Sequence, residues 1–321
     1  MYFNKVLITG GAGFIGSHLL DKLCNISDVI YVIDNLSNGS MENIKGHLEN
    51  EDVTFIKGDV KDIDNIIKDK NSFDIIFHYA ANPEVRVSTT NPEIHFNENI
   101  LASFKVLEYM RKKDIEYLVF ASSSTVYGEA KVIPTPEDYH PLNPISVYGA
   151  SKLAVENLIT AYSNLYGLKA LILRYANIIG PRSNHGVIID FINKLKSNPH
   201  ELEILGDGTQ RKSYLHVYDA VDASLHLVNY FIESKDRLDT YNIGSMDWIT
   251  VKEIADIIVE EMGLKNVRYK YKLTTKDGRG WPGDVKLMLL DISKLRRTGW
   301  NPKWDSRESV RMTARELLSS L

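Results

Sequence analysis

Two hydrophobic rhythms alternate through the first half of the chain. Short runs at 5–9, 29–33, 53–56, 74–77, 117–120 and 169–173 are mostly apolar and rich in β-branched residues. Runs of that length without polar alternation mark strands buried on both faces. Between them, 14–23, 41–47, 63–68, 94–112 and 147–165 carry apolar residues at helical spacing. Strands separated by helices predict a parallel sheet covered on both sides, an α/β doubly wound (Rossmann) domain with right-handed crossovers.

The rhythm changes after about residue 174. Turn signals stand at Gly180-Pro181, Gly206-Asp207-Gly208 and Gly278-Arg279-Gly280. Helical periods return at 217–231, 251–262 and 305–318, so the tail is expected to be ordered. A second, smaller domain is expected to start near 175, with a short strand at 240–243 returning to the first sheet.

Composition narrows the function classes. Against 42 Asp+Glu stand 38 Lys+Arg, a net charge of −4, which lacks the basic excess of a general nucleic-acid binder. The single cysteine, Cys24, excludes an intrachain disulfide and fits a reducing compartment. No apolar run reaches the ~20 residues of a membrane span, and the N-terminal residues show no signal-peptide pattern. A cytoplasmic protein with no membrane and no nucleic-acid partner is the expectation. The nine histidines lack metal-binding spacing, so no metal site is expected.

Candidate chemistry begins at the first strand–helix junction. Gly10, Gly13 and Gly16 follow the strand directly and flank Phe14 and Ile15 at the start of the helix. Glycine allows the tight turn and the close approach of backbone N–H groups to a pyrophosphate, and the helix N-terminus favours its charge. Asp34 ends the second strand, 18 residues on from Gly16, where a carboxylate can accept the adenosine ribose hydroxyls. Asn35, Leu36, Ser37 and Asn38 follow, and no Lys or Arg appears until Lys45. A 2′-phosphate would meet only repulsion, so NAD is favoured over NADP. Asp59 and Val60 after the third strand are candidates for the adenine edge, and Ala80 and Ala81 after the fourth leave room for the cofactor. A surface Asp and a purely structural turn are the bland alternatives.

Three Tyr-x-x-x-Lys pairs occur: Tyr109/Lys113, Tyr127/Lys131 and Tyr148/Lys152. On a helix this spacing puts an ammonium beside a phenol, which favours phenolate and a general base. Context separates them. The first is expected on a solvated helix face, and the second in a loop. Tyr148/Lys152 opens the long helix after the fifth strand, whose C-terminal end carries Ser122, Ser123, Ser124 and Thr125. Ligands of doubly wound sheets bind beyond such strand ends. A hydroxyl there can orient a substrate, though the run also reads as a strand-capping turn.

The stretches ITGGAGFIGSHL, IDNLSNGS, HYAAN, FASSSTVYGE, YGASKLAVE, RYANIIGPR, GDGTQRKSYLHVYDAVDA, NIG and GDVKLMLLDISKLRRTGW span nearly the whole chain in order. Together they resemble the extended short-chain dehydrogenase/reductases, in particular the NAD-dependent epimerase/dehydratase family, and most of all its UDP-glucose 4-epimerases. The resemblance implies an NAD-binding Rossmann domain over 1–175 plus 213–244. It implies a nucleotide-sugar-binding α/β domain over 176–212 plus 245–321, and a homodimer through the 94–112 and 147–165 helices. It implies Tyr148 as acid/base, Lys152 on the nicotinamide ribose, Ser123 as the catalytic hydroxyl, and Asn99 near the cofactor. The implied reaction is transient oxidation at C4 of a UDP-hexose with return of the hydride.

For the substrate, the same resemblance implies Ser123 and Ser124 at the sugar, Asn177 and Lys212 at the diphosphate and Asp284 at the nucleoside ribose. Many relatives carry an Arg just before that Gly-Asp. Here Trp281 and Pro282 stand there, and Arg279 is the nearest guanidinium. Met288 replaces a bulky Tyr used by some epimerases to exclude N-acetylhexosamines, which implies tolerance of the N-acetyl forms. Dehydratases need an acidic pair where this chain has Ser124 and Thr125, so dehydration is disfavoured. UDP-glucuronate 4-epimerisation and decarboxylation remain alternatives. A cofactor-sensing protein without catalysis would not need Ser123, Tyr148 and Lys152 together. Arg174 is expected to be a buried ion-pair partner and His78 a packing histidine.

Overall fold

A computed structural model describes residues 1–68 and 72–320. The first elements are β1 (Phe3–Thr9), α1 (Phe14–Leu23), β2 (Ser27–Asp34), β3 (Val53–Lys57), α2 (Ile63–Ile66) and β4 (Ile75–His78). Next come α3 (Glu93–His95), α4 (Ala102–Lys112), β5 (Tyr117–Ser123), α5 (Val147–Tyr166) and β6 (Lys169–Tyr175). Then follow β7 (Asn177–Ile179), α6 (Val187–Ser197), β8 (Glu201–Leu205), β9 (Arg211–Lys212), β10 (Tyr214–His216), α7 (Val217–Glu233) and β11 (Leu238–Ile243). The last are β12 (Ile249–Thr250), α8 (Val251–Glu261), β13 (Arg268–Lys272), β14 (Leu287–Met288), α9 (Ser293–Arg297) and α10 (Ser306–Ser320).

Seven strands form the main sheet in the order β11-β6-β5-β4-β1-β2-β3. β1 pairs parallel with β2 and β4, β2 with β3, and β4 with β5. All four residues of β4 are buried, which is why these strands read as continuous apolar runs. Strand order reverses between β1 and β4, so the C-terminal end of β1 is the point where doubly wound sheets take their ligands. Leu7, Ile33, Ile76 and Phe120 from the strands pack with Val106, Tyr109, Val155 and Ile159 from the helices. β11 returns to the edge of this sheet beside β6, where the short strand at 240–243 was expected.

Three expected helices differ. The segment 94–112 is not one regular helix: a π-helical stretch, Phe96–Leu101, joins α3 to α4. Its wide turn carries Asn99, 1% exposed, into the interior, and such turns gather at functional sites. Residues 41–47 form two 3-10 turns, Met41–Asn43 and Lys45–His47, since seven residues including Gly46 cannot nucleate a helix. The helix expected at 63–68 ends at Ile66.

Contacts divide the chain into two compact units. One comprises Met1–Val126, Val147–Arg174 and Ser224–Tyr241, the other Tyr127–Ser146, Tyr175–Ala223 and Asn242–Leu321. The division differs from the expected boundaries at 127–146, 175, 213–223 and 242–244, all of which fall in the second unit. Thr135 bridges Leu290 and the Tyr127 hydroxyl donates to Asn242 Oδ1 at 2.7 Å. β10 pairs with β7, and Trp300 Nε1 donates to Asp222 at 3.0 Å. The second unit has its own core of Phe191, Ile192, Leu202, Ile204, Ile254 and Val310. Among the described residues no helix is long and apolar enough to cross a membrane.

Candidate active site

At the end of β1 the chain turns through Gly10 with φ of +72°. A Cβ on Gly10 would lie 2.6 Å from the Ala80 nitrogen, in the backbone that leaves β4. Gly16, in the first turn of α1, lies against the Gly10 carbonyl, so helix and strand meet without a side chain between them. Gly13 is the N-cap of α1, with no side-chain cap and no acidic residue in the first turn. The helix itself leaves the N–H groups of Phe14 and Ile15 without an intrahelical acceptor, at the switch point of the sheet where a helix start can receive an anion.

Asp34 is buried at the end of β2. Its Oδ2 accepts from Ala12 N at 3.0 Å and its Oδ1 from Leu36 N at 2.8 Å. The carboxylate therefore also ties the glycine turn to β2. Burial raises its pKa, against the lowering pull of the Leu36, Ala12 and Gly13 N–H groups. Leu36 adopts a positive φ of 62°, Asn35 Oδ1 accepts from Ser37 N at 2.9 Å, and Asn38 Nδ2 donates to Ser37 Oγ at 3.4 Å. Asp59 caps the turn holding buried Val60 and pairs with Lys61 at 3.2 Å. Ala80 and Ala81 are half-buried just past β4. An uncapped helix start, a cradle that a Cβ would fill and a carboxylate near the expected ribose position fit NAD.

β5 carries Ser123, and α5 carries Tyr148 and Lys152. Ser123 hydrogen-bonds the Tyr148 phenol and accepts from the Thr125 N–H at 3.2 Å and hydroxyl at 3.0 Å. With both Thr125 donors directed at Ser123 Oγ, the Ser123 proton is left to donate. Lys152 Nζ donates to the Ala121 carbonyl at 2.8 Å and lies 4.9 Å from the Phe120 ring centroid and 5.9 Å from that of Tyr148. Ser124 begins the turn after β5 and is half-buried.

The Lys152 ammonium was expected to favour the Tyr148 phenolate, with the nicotinamide cation adding to it. In the protein alone, burial pushes Tyr148 up to about 12 against the Ser123 hydrogen bond, and pushes Lys152 down to about 8 against the pull of Glu156. Desolvation dominates both groups, and the ammonium is bonded to a carbonyl rather than to the phenol. The rival pairs also resolve. Tyr109, expected on a solvated face, is 1% exposed in the core, and the Tyr127 hydroxyl is spent on Asn242.

Around this group lies a polar shell only partly legible in the sequence. Asn99 Oδ1 accepts from Asn82 N at 2.8 Å, which fixes the amide so that its Nδ2 faces Ser151 Oγ at 2.9 Å and His95 Nδ1 at 3.4 Å. His95 Nδ1 is then an acceptor and its proton sits on Nε2; the His95 and Tyr148 ring centroids lie 5.7 Å apart, edge to face. Asn99 thus braces the start of α5. Glu156 and Arg174 form a buried pair at 2.7 Å, joined by Ser122 Oγ at 2.5 Å. His78 lies between Thr9 Oγ1 at 2.6 Å and Ser103 Oγ at 2.8 Å, and burial, then Lys152, lowers its pKa to about 3. Arg174 is thus the buried ion-pair partner that was expected, and His78 is a packing residue. Glu156 was overlooked although Tyr148, Lys152 and Glu156 recur every fourth residue.

Within the second unit, Lys212 and Met288 are register partners on β9 and β14. Lys212 Nζ pairs with Asp284 Oδ1 at 2.5 Å, and the Gly280 N–H donates to Asp284 Oδ2 at 3.3 Å. Arg279 Nη1 donates to Glu129 at 2.6 Å and to the Asp284 carbonyl at 2.8 Å, and its Nε donates to Asp277 at 2.5 Å. The structure brings Lys212, Arg279 and Asp284 together, each cation already matched by a carboxylate. Asn177 Nδ2 donates to the Ser213 carbonyl at 3.0 Å on the paired strands β7 and β10. Met288 is 9% exposed.

The chain as a whole is similar to known proteins. A solved structure of a UDP-galactose 4-epimerase is 46% identical, covers 99% of both chains and superposes with a TM-score of 0.87. UDP-glucose 4-epimerase from Thermotoga maritima, solved with UDP-glucose, is 34% identical over 98% of this chain and 99% of its own, with a TM-score of 0.84. UDP-N-acetylglucosamine 4-epimerase from Methanobrevibacter ruminantium M1, solved with UDP-N-acetylmuramic acid, is 33% identical over 100% of both chains, again with a TM-score of 0.84. Residues 6–244 match the family model described as the NAD dependent epimerase/dehydratase family, and the chain belongs to that family.

Proposed function

We propose that this chain is an NAD-dependent UDP-hexose 4-epimerase that interconverts UDP-glucose and UDP-galactose and also accepts their N-acetyl forms. The observation that carries the reading is the hydrogen-bonded Ser123–Tyr148 pair above Lys152 at the C-terminal end of β5, in a chain whose β1–α1 turn is an open anion site. When bound, NAD supplies the acceptor for the hydride from sugar C4 and, once reduced, its donor.

The chain's residues do the rest. Tyr148 takes the proton of the C4 hydroxyl at its phenolate oxygen and gives it back after inversion. Ser123 donates a hydrogen bond to that phenolate and holds the sugar oxygen, with Ser124 alongside. Lys152 holds positive charge below the phenol and reaches the cofactor ribose. Gly10, Gly13, Phe14, Ile15 and Gly16 hold the pyrophosphate, and Asp34 holds the adenosine ribose, with Asn35, Leu36, Ser37 and Asn38 beside it. Asp59 and Val60 line the adenine, while Ala80 and Ala81 leave space for the cofactor. In this reading the first unit binds NAD and the second binds the nucleotide sugar. Asn177, Lys212 and Arg279 face the diphosphate, Asp284 the ribose and Met288 the sugar. No carboxylic acid stands at Ser124 or Thr125, which argues against dehydration.

A cytoplasmic homodimer is part of the proposal. Phe96 and Phe104 are exposed on the 94–112 segment, as are Leu165 and Tyr166 at the end of α5, and these are apolar groups a second copy would cover. The purified protein should interconvert UDP-glucose and UDP-galactose with no net NADH, resolved by chromatography. Absence of any C4 product from these sugars and their N-acetyl forms, with product from UDP-glucuronate, would transfer the reading to the uronate enzymes.

A further inference from the structure

We propose that Glu156 is a positioning residue of this site, a buried carboxylate one helical turn beyond Lys152 that keeps the lysine charged and anchors the end of β5 on which Ser123 stands. The inference rests on the epimerase reading for its consequence in turnover, but its physical content is independent of it. Tyr148, Lys152 and Glu156 succeed one another at four-residue intervals along α5, so they share one face. Lys152 and Glu156 are each 4% exposed.

Both oxygens of Glu156 are held. Oε1 accepts from Ser122 Oγ at 2.5 Å and from Arg174 Nε at 3.0 Å, and Oε2 from Arg174 Nη2 at 2.7 Å. Three donors, two of them from a guanidinium, fix the group in place. Ser122 precedes Ser123, so the same contacts anchor the strand end that presents the catalytic hydroxyl. An apolar pair of similar volume could replace a buried Arg–Glu bridge with little loss of stability. Such a pair could not supply negative charge beside Lys152.

The groups facing Lys152 show why that charge matters. On β5 it meets the Ala121 carbonyl and the Phe120 ring. From β4 comes His78 and from α3 His95, both kept neutral by burial, with Lys152 itself opposing their protonation and Glu84 favouring that of His95. Tyr148 lies on its own helix and is protonated in the protein alone. Arg174 is compensated by Glu156. Among these described groups Glu156 is the one carboxylate acting on Lys152, and it opposes a burial effect that brings the lysine to about 8. Without it the ammonium would lose its proton within the working pH range.

The test uses Glu156→Gln, which keeps shape, and the double variant Glu156→Gln/Arg174→Met, which leaves no uncompensated guanidinium and so protects the fold. Lysine ε-carbons are 13C-labelled, and the Lys152 resonance is assigned from its absence in Lys152→Met. Its NMR titration midpoint should fall by about one pH unit in Glu156→Gln and by a smaller amount in the double variant. The alkaline limb of kcat should move down with it, while KM for the UDP-sugar changes less than twofold. An unmoved Lys152 midpoint in a folded variant overturns the proposal and leaves the epimerase reading untouched. A shifted midpoint in a protein that interconverts no UDP-hexose sinks the epimerase reading and leaves the charge-keeping role standing.

Discussion

Replacing Gly10 by alanine tests the reading of the β1–α1 turn where it is most exposed to refutation. Two costs act at this position. With φ at +72°, a Cβ in left-handed backbone costs roughly 1–2 kcal/mol. That Cβ would also stand 2.6 Å from Ala80 N and 2.8 Å from both Ala80 Cα and Tyr79 C. All three are backbone atoms at the exit of β4, where no side chain can rotate away, so overpacking adds about 1–3 kcal/mol. The sum is about 2–5 kcal/mol. For a chain of this size each kcal/mol lowers Tm by roughly 2 °C, so a fall of about 4–10 °C is expected. Relief requires the turn to move away from β4, which takes the first N–H groups of α1 out of register with a bound pyrophosphate. NAD affinity should therefore fall at least tenfold. Gly46→Ala is the control. An added Cβ there meets nothing within 4 Å, and Tm should be unchanged or slightly raised. Differential scanning fluorimetry and NAD titration of both variants provide the readouts. A Gly10→Ala protein with wild-type Tm and wild-type NAD affinity would refute the claim that close approach of the two strand exits makes the site.

Tyr148→Phe should abolish C4 interconversion, measured by product chromatography, while NAD binding and Tm stay near wild type. Lys152→Met should also be inactive, yet more stable at neutral pH. A lysine near 8 in the folded state and 10.5 in the unfolded state costs about 3 kcal/mol below pH 8. Removing it should recover about 1–2 kcal/mol after loss of the Ala121 hydrogen bond. Between pH 8 and 10.5 the unfolded wild-type chain binds more protons than the folded one, so wild-type stability gains on the variant across that window. Thermal melts of the two proteins from pH 7 to 10 should converge, and parallel curves would refute the buried-charge argument. Met288→Tyr should lower turnover of N-acetylhexosamine substrates at least tenfold relative to UDP-glucose. Equal losses on both substrates would remove Met288 from any role in selection.

Legibility in the sequence followed distance along the chain. The turn at Gly10–Gly16 and the Tyr148–Lys152 spacing are local, and local geometry follows from residue type. The strands were legible because burial on both faces leaves no polar alternation to misread. Contacts made by chain closure were not legible. Tyr127 meets Asn242 across 115 residues and Lys212 meets Asp284 across 72, and nothing in either local pattern names the partner. This is why 127–146 was expected with the first domain and the Lys212–Asp284 pair was not foreseen.

The pKa of Tyr148 shows the deeper limit. Spacing places the ammonium near the phenol and so favours phenolate, but burial acts on both groups as well, and how strongly is set by what packs around them. Phe120, Ala121, His78 and His95 come from three different elements. Together they make the pocket dry enough that Tyr148 rises and Lys152 falls. In that state Lys152 is charged while Tyr148 keeps its proton, and a positive charge arriving with the cofactor has most effect where the surroundings are least able to screen it. Burial that opposes catalysis in the protein alone thereby makes the tyrosine responsive to the bound cofactor, and the Glu156 carboxylate keeps the lysine from being neutralised by the same burial.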